Sequence, residues 1–261
     1  PYASRGYLKE KNEEAYEHVF VTHYPDEERP GARPLKQTPI YEKMKKLGAV
    51  FGQVYGWERP NWFAPNGTKA EDIWSFRRSN YFEHVGNECM HVNKHVGILD
   101  MTAFSKFTVE GKDSEAWLDS VLSNRIPKKV GRINLCYLLS NNGGVRSEFT
   151  VFKESDNSYY LVSAGAMERH DEDQLKKLLP KNGDIKVNTI TTQKGVLVIA
   201  GPKSRMLIKK ITDTNMENKN FPWLSGKKIN LGAAYCDALR VNFVGELGWE
   251  LHHPIEMQNY I

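Results

Sequence analysis

Long apolar runs are missing from this chain of 261 residues. A membrane-spanning helix needs roughly eighteen or more consecutive apolar residues, and no segment approaches that length. The N-terminal segment also lacks an initiator methionine and the apolar stretch of a secretory signal. We therefore expect no membrane partner, and we expect the chain to be part of a longer polypeptide.

Cysteine is scarce, with only Cys89, Cys136 and Cys236 spread along the sequence. Residues this far apart do not form the dense disulfide framework of a small secreted protein, and they favour a reducing compartment. The sequence therefore predicts a cytoplasmic protein, or one of the mitochondrial matrix if its source is eukaryotic.

Neither sign of charge dominates, because 36 lysines and arginines stand against 32 acidic residues and the two kinds are interspersed. A net charge of +4 distributed in this way is too small for a nucleic-acid-binding surface. It suits a small anionic ligand held by a few local basic side chains. We expect no nucleic-acid partner.

Motifs that bind nucleotides or metals are missing as well. The chain has neither a Walker loop nor the G-x-G-x-x-G turn of dinucleotide-binding domains. His91 and His95 have the spacing of two metal ligands on a helix, with His84 and Cys89 nearby, but the glutamate of a zinc protease is lacking between them. Histidines on a solvated helix face are ordinary, so we predict no metal site.

The N-terminal third combines predicted helices with segments rich in proline and aromatic residues. Helices are predicted over 6–20 and over 76–96, the second from apolar residues at steps of three and four. Segment 25–39 contains four prolines and is predicted to be a connector. Segment 50–67 is aromatic and interrupted by glycine and proline, which predicts an irregular loop.

The aromatic residues of that loop are predicted to be buried. Three exposed rings on one loop would make a soluble protein prone to aggregation. We therefore expect Trp57 and Trp62 to pack inside, with Glu58 or Arg59 facing outward.

The region from residue 104 onward predicts an α+β fold built from ferredoxin-like units. Its strands and helices include a β-α-β-β-α-β succession. A second succession starts at the buried strand 194–201 and stops at Ile261, so the second unit is expected to be incomplete. The first unit comprises predicted strands 104–110, 132–139, 146–153, 158–163 and 185–190 and predicted helices 113–123 and 166–179.

A carboxylate closes an apolar run just before this region. Asp100 follows Val96-Gly97-Ile98-Leu99, where the hydrophobic pattern indicates that the chain enters its core. One interpretation is a turn cap, in which the carboxylate accepts backbone N–H groups and Thr102 helps. The other is a partly desolvated carboxylate that acts as a base or as a ligand for a cation. This segment alone leaves both open.

A second segment with carboxylates, RVNFVGELGWELHHP, covers residues 240–254 and predicts a strand, a turn and a strand. Glu246 and Glu250 lie on either side of a glycine. A carboxylate in this setting accepts two parallel N–H donors, such as those of a pterin, and Phe243 and Trp249 offer flat walls for a heteroaromatic ring. The alternative is that both glutamates are solvated ends of a hairpin.

Together these two segments resemble the folate-binding aminomethyltransferase family, which includes the T-protein of glycine cleavage. The likeness lies in GILDMTAFSKFTVEG (97–111) and RVNFVGELGWEL (240–251). One branch of the family, the folate-binding C-terminal half of dimethylglycine and sarcosine dehydrogenases, is also similar in four further strings that extend the likeness over nearly the whole chain. These strings are PLKQTPIYEKM, FGQVYGWERPNWFAP, WSFRRSNYFEHV and FPWLSGKKI.

The resemblance implies roles for four side chains. Asp100 matches the family's catalytic aspartate, which lies beside N10 of tetrahydrofolate and orients or deprotonates that amine. Glu250 matches the pterin-binding glutamate. Phe243 stands where the family often has tyrosine, so the stacking face remains and the hydroxyl is lost. The family usually carries an acidic residue after a Gly-Gly turn, and Glu148 is its nearest counterpart here.

The resemblance also implies a division of the chain. Residues 1–38 would be a linker and the end of a preceding flavin-linked oxidase portion, 39–190 the first α+β unit of the folate-binding domain, and 191–261 an incomplete second unit. FAD would belong only to the upstream oxidase domain, which would be the partner of this chain within the parent polypeptide.

The implied function is transfer of a one-carbon unit, released from an N-methylated amine, onto tetrahydrofolate to give 5,10-methylenetetrahydrofolate. One alternative is a non-catalytic folate-binding or assembly protein, as in relatives that serve iron–sulfur cluster maturation, but their Lys-Gly-Cys motif is missing from residues 242–245. A folate-dependent demethylase of a methylated sulfur compound would lack the GWERPNWFAP string. The last alternative is an inert fragment, because the chain stops before the rest of the family's C-terminal region.

Overall fold

The computed structural model describes residues 4–261, so the first three residues of the predicted oxidase segment 1–38 lie outside it. The chain falls into two units, one ending at Met90 and the other formed by His91–Ile261. No helix of the described range is long and apolar enough to cross a membrane. The first unit contains α1 (Arg5–Glu17), α2 (Tyr41–Lys46), β1 (Ala49–Val54), β2 (Trp57–Phe63) and most of α3 (Phe82–Lys94).

Segment 50–67 forms a β-hairpin, so the prediction of an irregular loop is wrong. β1 and β2 pair antiparallel across a two-residue turn. Both turn residues, Tyr55 and Gly56, have positive φ, as a type I′ hairpin turn requires. Pro60 does not interrupt β2, because a two-stranded sheet consists only of edge strands, where proline is tolerated.

The two tryptophans of this hairpin are buried as predicted, and Glu58 is buried with them. Trp57 is 6% exposed and Trp62 is 1% exposed. The prediction that Glu58 or Arg59 faces outward is wrong for Glu58, because Arg33 Nη2 donates to Glu58 Oε2 at 2.7 Å and neutralises its charge inside the fold. Arg59 is partly exposed.

The second unit carries most of the regular structure and confirms the predicted strands and helices between residues 104 and 201 to within a few residues. It also contains two short 3-10 turns, Gly165–Met167 and Ile255–Met257. Its elements are β3 (Gly97–Asp100), β4 (Ser105–Glu110), α4 (Ser114–Val121), β5 (Leu122–Ser123), β6 (Ile133–Leu139), β7 (Val145–Ser155), β8 (Ser158–Ser163), α5 (Glu168–Lys177), β9 (Lys186–Thr189), β10 (Lys194–Ala200), α6 (Ser204–Ile208), β11 (Gly226–Leu231), β12 (Ala234–Leu239) and β13 (Gly248–Pro254).

A six-stranded antiparallel sheet, in the order β5-β6-β7-β8-β4-β9, forms the first half of this unit. β4 and β9, the first and last strands of the predicted succession, lie side by side, and β8 and β7 follow on the other side of β4. Helices α4 and α5 cover one face through Trp117, Leu118 and Leu175, which are buried in one core. The arrangement confirms the predicted α+β fold with a ferredoxin-like unit.

A five-stranded antiparallel sheet, in the order β11-β12-β13-β10-β3, forms the second half. Its edge strand β3 was not predicted as a strand. β3 pairs with β10 so that Asp100 lies opposite Leu197. The carboxylate that ends β3 therefore belongs to the sheet of the later strands, although it precedes the six-stranded sheet in sequence.

The two sheets of this unit pack against each other through a shared core. Phe152 and Tyr160 come from the six-stranded sheet, while Leu239 and Val241 come from the end of β12 and the residues after it. Because both faces of the six-stranded sheet are thus covered, polar side chains that alternate along its strands become buried.

Candidate functional site

Asp100 ends the edge strand β3, and hydrogen bonds hold its carboxylate in place. Its Oδ1 accepts the backbone N–H of Thr102 at 3.0 Å and Nε2 of Gln258 at 3.2 Å. The first bond closes the turn that one interpretation of the sequence predicted. The second comes from a residue 158 positions further along the chain, which sequence reasoning missed. The side chain is half-buried, so a carboxylate with fixed orientation remains partly open to solvent.

Lys106 is a buried lysine close to Asp100 that sequence reasoning also missed. Its side chain is fully buried, and Nζ donates to the carbonyls of Thr102 at 2.7 Å and Phe104 at 2.9 Å. Burial lowers its pKa to about 7, and the negative charges of Glu168 and Asp100 oppose that shift. The alternation of β4 places Lys106 on the polar face of the strand, and only the second sheet makes that face interior.

Glu250 lies in the middle of β13 and is connected to the six-stranded sheet by two buried side chains. Its Oε2 is 3.1 Å from Nε2 of His252, and Nδ1 of His252 is 2.9 Å from the hydroxyl of Tyr160. Glu250 is 8% exposed, whereas His252 and Tyr160 are 1% and 0% exposed. The second carboxylate oxygen, Oε1, takes part in none of the hydrogen bonds found within residues 4–261.

The direction of these hydrogen bonds follows from the protonation of the buried groups. Burial raises the pKa of Tyr160 well above its usual value, so its hydroxyl keeps its proton and donates to His252 Nδ1. Burial lowers the pKa of His252, although Glu250 opposes that shift, so the ring is neutral and carries its hydrogen on Nε2. His252 therefore donates to Glu250 and fixes the orientation of its carboxylate.

Asp100 and Glu250 lie on opposite faces of the five-stranded sheet. Asp100 pairs with Leu197 and Glu250 pairs with Val198, and consecutive residues of β10 point to opposite faces. Two strand spacings, about 10 Å, separate β13 from β3. Because β3 is the edge strand and Asp100 is its last residue, a ligand that touches both carboxylates must extend across β10 and past this edge.

The two aromatic residues predicted as ligand walls have different surroundings. Trp249 is fully buried against Phe221 and stacks on Arg205 with 5.2 Å to the ring centroid. It points away from Glu250, since the two are neighbours on one strand, so the expectation that it flanks the same ligand is corrected to a packing role. Phe243 is 86% exposed and lies in the irregular segment 240–247, where one strand of the predicted strand–turn–strand does not form.

The remaining acidic candidates, Glu148 and Glu246, have neighbours of their own. Glu148 is exposed on β7, where it pairs across the strands with Tyr137. It shares its face of the six-stranded sheet with Phe152, four residues further along the strand. Glu246 accepts a hydrogen bond from Asn93 Nδ2 at 3.1 Å.

The histidines considered as metal ligands have other partners. His84 stacks on Trp62 with 5.4 Å between the ring centroids. Lys203 Nζ lies 2.6 Å from Nδ1 of His95 and lowers the pKa of that histidine. Cys89 is exposed. Residues 4–261 contain no group of three or more side chains placed to hold a metal ion.

Comparison with known families assigns most of the chain to one model. Residues 40–261 match the model described as the GCVT N-terminal domain. Residues 1–38 match the central domain of FAD-dependent oxidoreductases.

The relatives of this chain are longer proteins. Mitochondrial dimethylglycine dehydrogenase of Mus musculus is 36% identical over 251 residues, which is 96% of this chain and 29% of that protein. Mitochondrial sarcosine dehydrogenase of Homo sapiens is 26% identical over 287 residues, covering 95% of this chain and 31% of that protein. The chain thus spans about a third of the length of these relatives.

A solved structure has the same fold. The glycine cleavage system aminomethyltransferase T from Bartonella henselae superposes with a TM-score of 0.70 at 21% identity, over 87% of this chain and 55% of that one. The similarity confirms the predicted fold class.

Proposed function

The chain belongs to the GCVT aminomethyltransferase family, and from this premise we propose that it binds tetrahydrofolate and takes part in one-carbon transfer onto it. It is related to the folate-binding module of dimethylglycine and sarcosine dehydrogenases. The one-carbon unit would come from an N-methylated amine, and the product would be 5,10-methylenetetrahydrofolate. When bound, tetrahydrofolate would supply the amine nitrogens that take up this unit.

The observation that carries the proposal is the oriented carboxylate of Glu250. A pterin presents two parallel N–H donors, and a carboxylate accepts both at once. Glu250 fits this requirement because His252 holds its Oε2 while Oε1 has no protein donor within residues 4–261. A carboxylate that is 8% exposed and already oriented loses little conformational freedom when a ligand binds.

Asp100 is proposed as the general base that orients or deprotonates the accepting amine. A half-buried carboxylate at the corner of a sheet is accessible to a ligand, and the hydrogen bonds from Thr102 and Gln258 hold it in one orientation. Phe243 is proposed as a stacking surface, since its ring is available to a ligand. Glu148 is proposed as an outer contact on the face between the sheets.

The parent polypeptide is proposed to carry an oxidase portion with FAD upstream of this chain. The match of residues 1–38 to an FAD-dependent oxidoreductase domain supports the first part of the proposed division. The division of the remainder into 39–190 and 191–261 stays a proposal. A compartment such as the mitochondrial matrix is proposed because the relatives are mitochondrial. The oxidised amine would be handed over within that polypeptide.

Calorimetric titration of the chain with tetrahydrofolate and, separately, with FAD tests the proposal. We expect heat of binding with tetrahydrofolate and none with FAD, because the proposed pterin-binding carboxylate Glu250 is present and the dinucleotide motif is missing from the sequence. Binding of FAD without binding of tetrahydrofolate contradicts the proposal.

A further inference from the structure

Gln258 is a buried amide that comes directly after the 3-10 turn Ile255–Met257 and is 1% exposed. Its nitrogen carries two hydrogens, and each has an acceptor. Nε2 donates to Asp100 Oδ1 at 3.2 Å and to Thr102 Oγ1 at 2.9 Å. Because an ionised carboxylate only accepts hydrogen bonds, the amide must face Asp100 with its nitrogen.

Thr102 joins Gln258 to the neighbouring strand. Its Oγ1 also accepts the backbone N–H of Val196 at 3.0 Å, and the residue is fully buried. This hydrogen bond holds the Thr102 hydroxyl in a fixed position beside β10. Two fixed acceptors, one on each side of its nitrogen, leave Gln258 a single orientation.

The oxygen side of the amide points at Gly195. A Cβ built on Gly195 would lie 2.9 Å from Gln258 Oε1 and 2.5 Å from His253 Nε2, which is closer than real Cβ atoms come. Gly195 is not among the residues with positive φ, so its backbone does not require glycine. The side chains of Gln258 and His253 require glycine at position 195, because they occupy the space that a Cβ would need.

We propose that Gln258 is a positioning residue for Asp100 and that Gly195 is glycine to leave room for it. The proposed consequence for one-carbon transfer rests on the proposed function, in which Asp100 is the base. The contact between the amide and the carboxylate stands independently of that function. Its test is therefore chosen to work without tetrahydrofolate.

The test follows the side-chain amide resonances of Gln258 by NMR in the uniformly ¹⁵N-labelled chain of 261 residues. The signal pair is assigned by its loss in Gln258→Leu. We expect it to shift as the pH is lowered through the range in which carboxyl groups take up protons, because the acceptor of one N–H is then neutralised. We expect the shift to be lost in Asp100→Asn, which retains the nearby His253 and Lys106. A signal that ignores pH, or that responds equally in Asp100→Asn, overturns the proposal.

Gly195→Ala tests the space requirement without changing either partner. The added methyl group must displace Gln258 or His253, so we expect the pH response of the amide to be lost or reduced in this variant. Gly86→Ala is the matched control, since a Cβ there meets nothing within 4 Å, and it should leave the response unchanged. A full response in Gly195→Ala contradicts the role given to Gly195.

If Gly195→Ala does not fold, Gln258→Asn tests the contact between the amide and Asp100. The shorter amide does not reach Asp100 and should show no response to pH.

Affinity for tetrahydrofolate separates this inference from the proposed function. We expect Gln258→Leu to bind tetrahydrofolate within about twofold of the unmodified chain, because Gln258 acts through Asp100. In a parent protein that turns over, the rate should fall about tenfold, the loss expected from one hydrogen bond to a charged group. A chain that binds no tetrahydrofolate but retains the pH-dependent amide signal would contradict the proposed function alone. A tenfold loss of affinity with no loss of rate would contradict the positioning role.

Discussion

At the scale of single residues, Lys106 makes the stability of the second unit depend on pH. Its pKa in the folded chain is about 7, against an ordinary value of 10.5, because its ammonium group is buried. Between these values the unfolded chain binds more protons than the folded chain, so the free energy of unfolding rises with pH in that window. Below about pH 7, Lys106 is protonated in both the folded and the unfolded chain, and the cost of burying its charge lowers the free energy of unfolding in full.

Lys106→Met should remove this dependence, since methionine has a similar volume and no charge. Between about pH 7 and pH 8.5, we expect the free energy of unfolding to rise by about 1–2 kcal/mol more in the unmodified chain than in the variant. Urea denaturation at both pH values measures it. Above this range the thiols of Cys136 and Cys236, whose pKa values are raised by burial, oppose the trend.

Lys186→Met on β9 is the control, because Lys186 is exposed and should keep the same pH slope as the unmodified chain. If the free energy of unfolding rises with pH as steeply in Lys106→Met as in the unmodified chain, Lys106 keeps its proton inside the fold. That result would contradict the lowered pKa given to Lys106.

Tyr160→Phe should weaken the binding of tetrahydrofolate, because the fully buried Tyr160 is connected to Glu250 through His252. Without the hydroxyl, the hydrogen of His252 is no longer held on Nε2, and the donor to Glu250 is lost in part of the molecules. We expect affinity to fall roughly 3- to 10-fold, which corresponds to about 0.5–1.5 kcal/mol for one hydrogen bond.

Tyr159→Phe is the matched control, because the neighbouring tyrosine is equally buried and donates to Glu115 at 2.9 Å on the opposite face of β8. It should cost stability and leave affinity unchanged. Equal loss of affinity in both variants would indicate general destabilisation of β8.

At the scale of secondary-structure elements, the sequence predicted those that carry their own periodic pattern. The strand predicted over 158–163 has the same bounds in the structure. β3 was missed because four apolar residues after a helix give no period, and its partner β10 is distant in sequence. Segment 50–67 was misjudged because Gly56 was interpreted as a breaker, whereas its positive φ closes the hairpin.

The hairpin of the first unit gives an element-scale prediction. Gly56→Ala should lower the free energy of unfolding of that unit by about 1–2 kcal/mol, because a side chain at φ +85° is strained. Gly86→Ala in α3 should raise it by about 0.5–1 kcal/mol, because alanine favours a helix and has space there. Thermal unfolding followed by tryptophan fluorescence measures both. Changes of the same sign would contradict the assigned hairpin turn.

At the scale of the whole molecule, the family and the fold class could be predicted from strings spread along the chain, while the geometry of the site could not. Trp249 and Glu250 are neighbours in the sequence, but as consecutive residues of β13 their side chains lie on opposite faces of the five-stranded sheet. It also gave no sign of Gln258, Lys106 or Tyr160, because their importance depends on pairing between strands far apart in sequence.

Glu250 is the proposed acceptor of the two pterin donors, and the dissociation constant of tetrahydrofolate tests this role most directly. Calorimetric titration would compare the unmodified chain with Glu250→Gln and with Glu246→Gln, a control four residues away whose carboxylate contacts Asn93. An amide cannot accept both pterin donors, so Glu250→Gln should weaken binding by about 1–3 kcal/mol, or roughly 5- to 150-fold. Glu246→Gln should bind within about twofold of the unmodified chain. Equal affinity in all three proteins, or a larger loss in Glu246→Gln, would contradict the account.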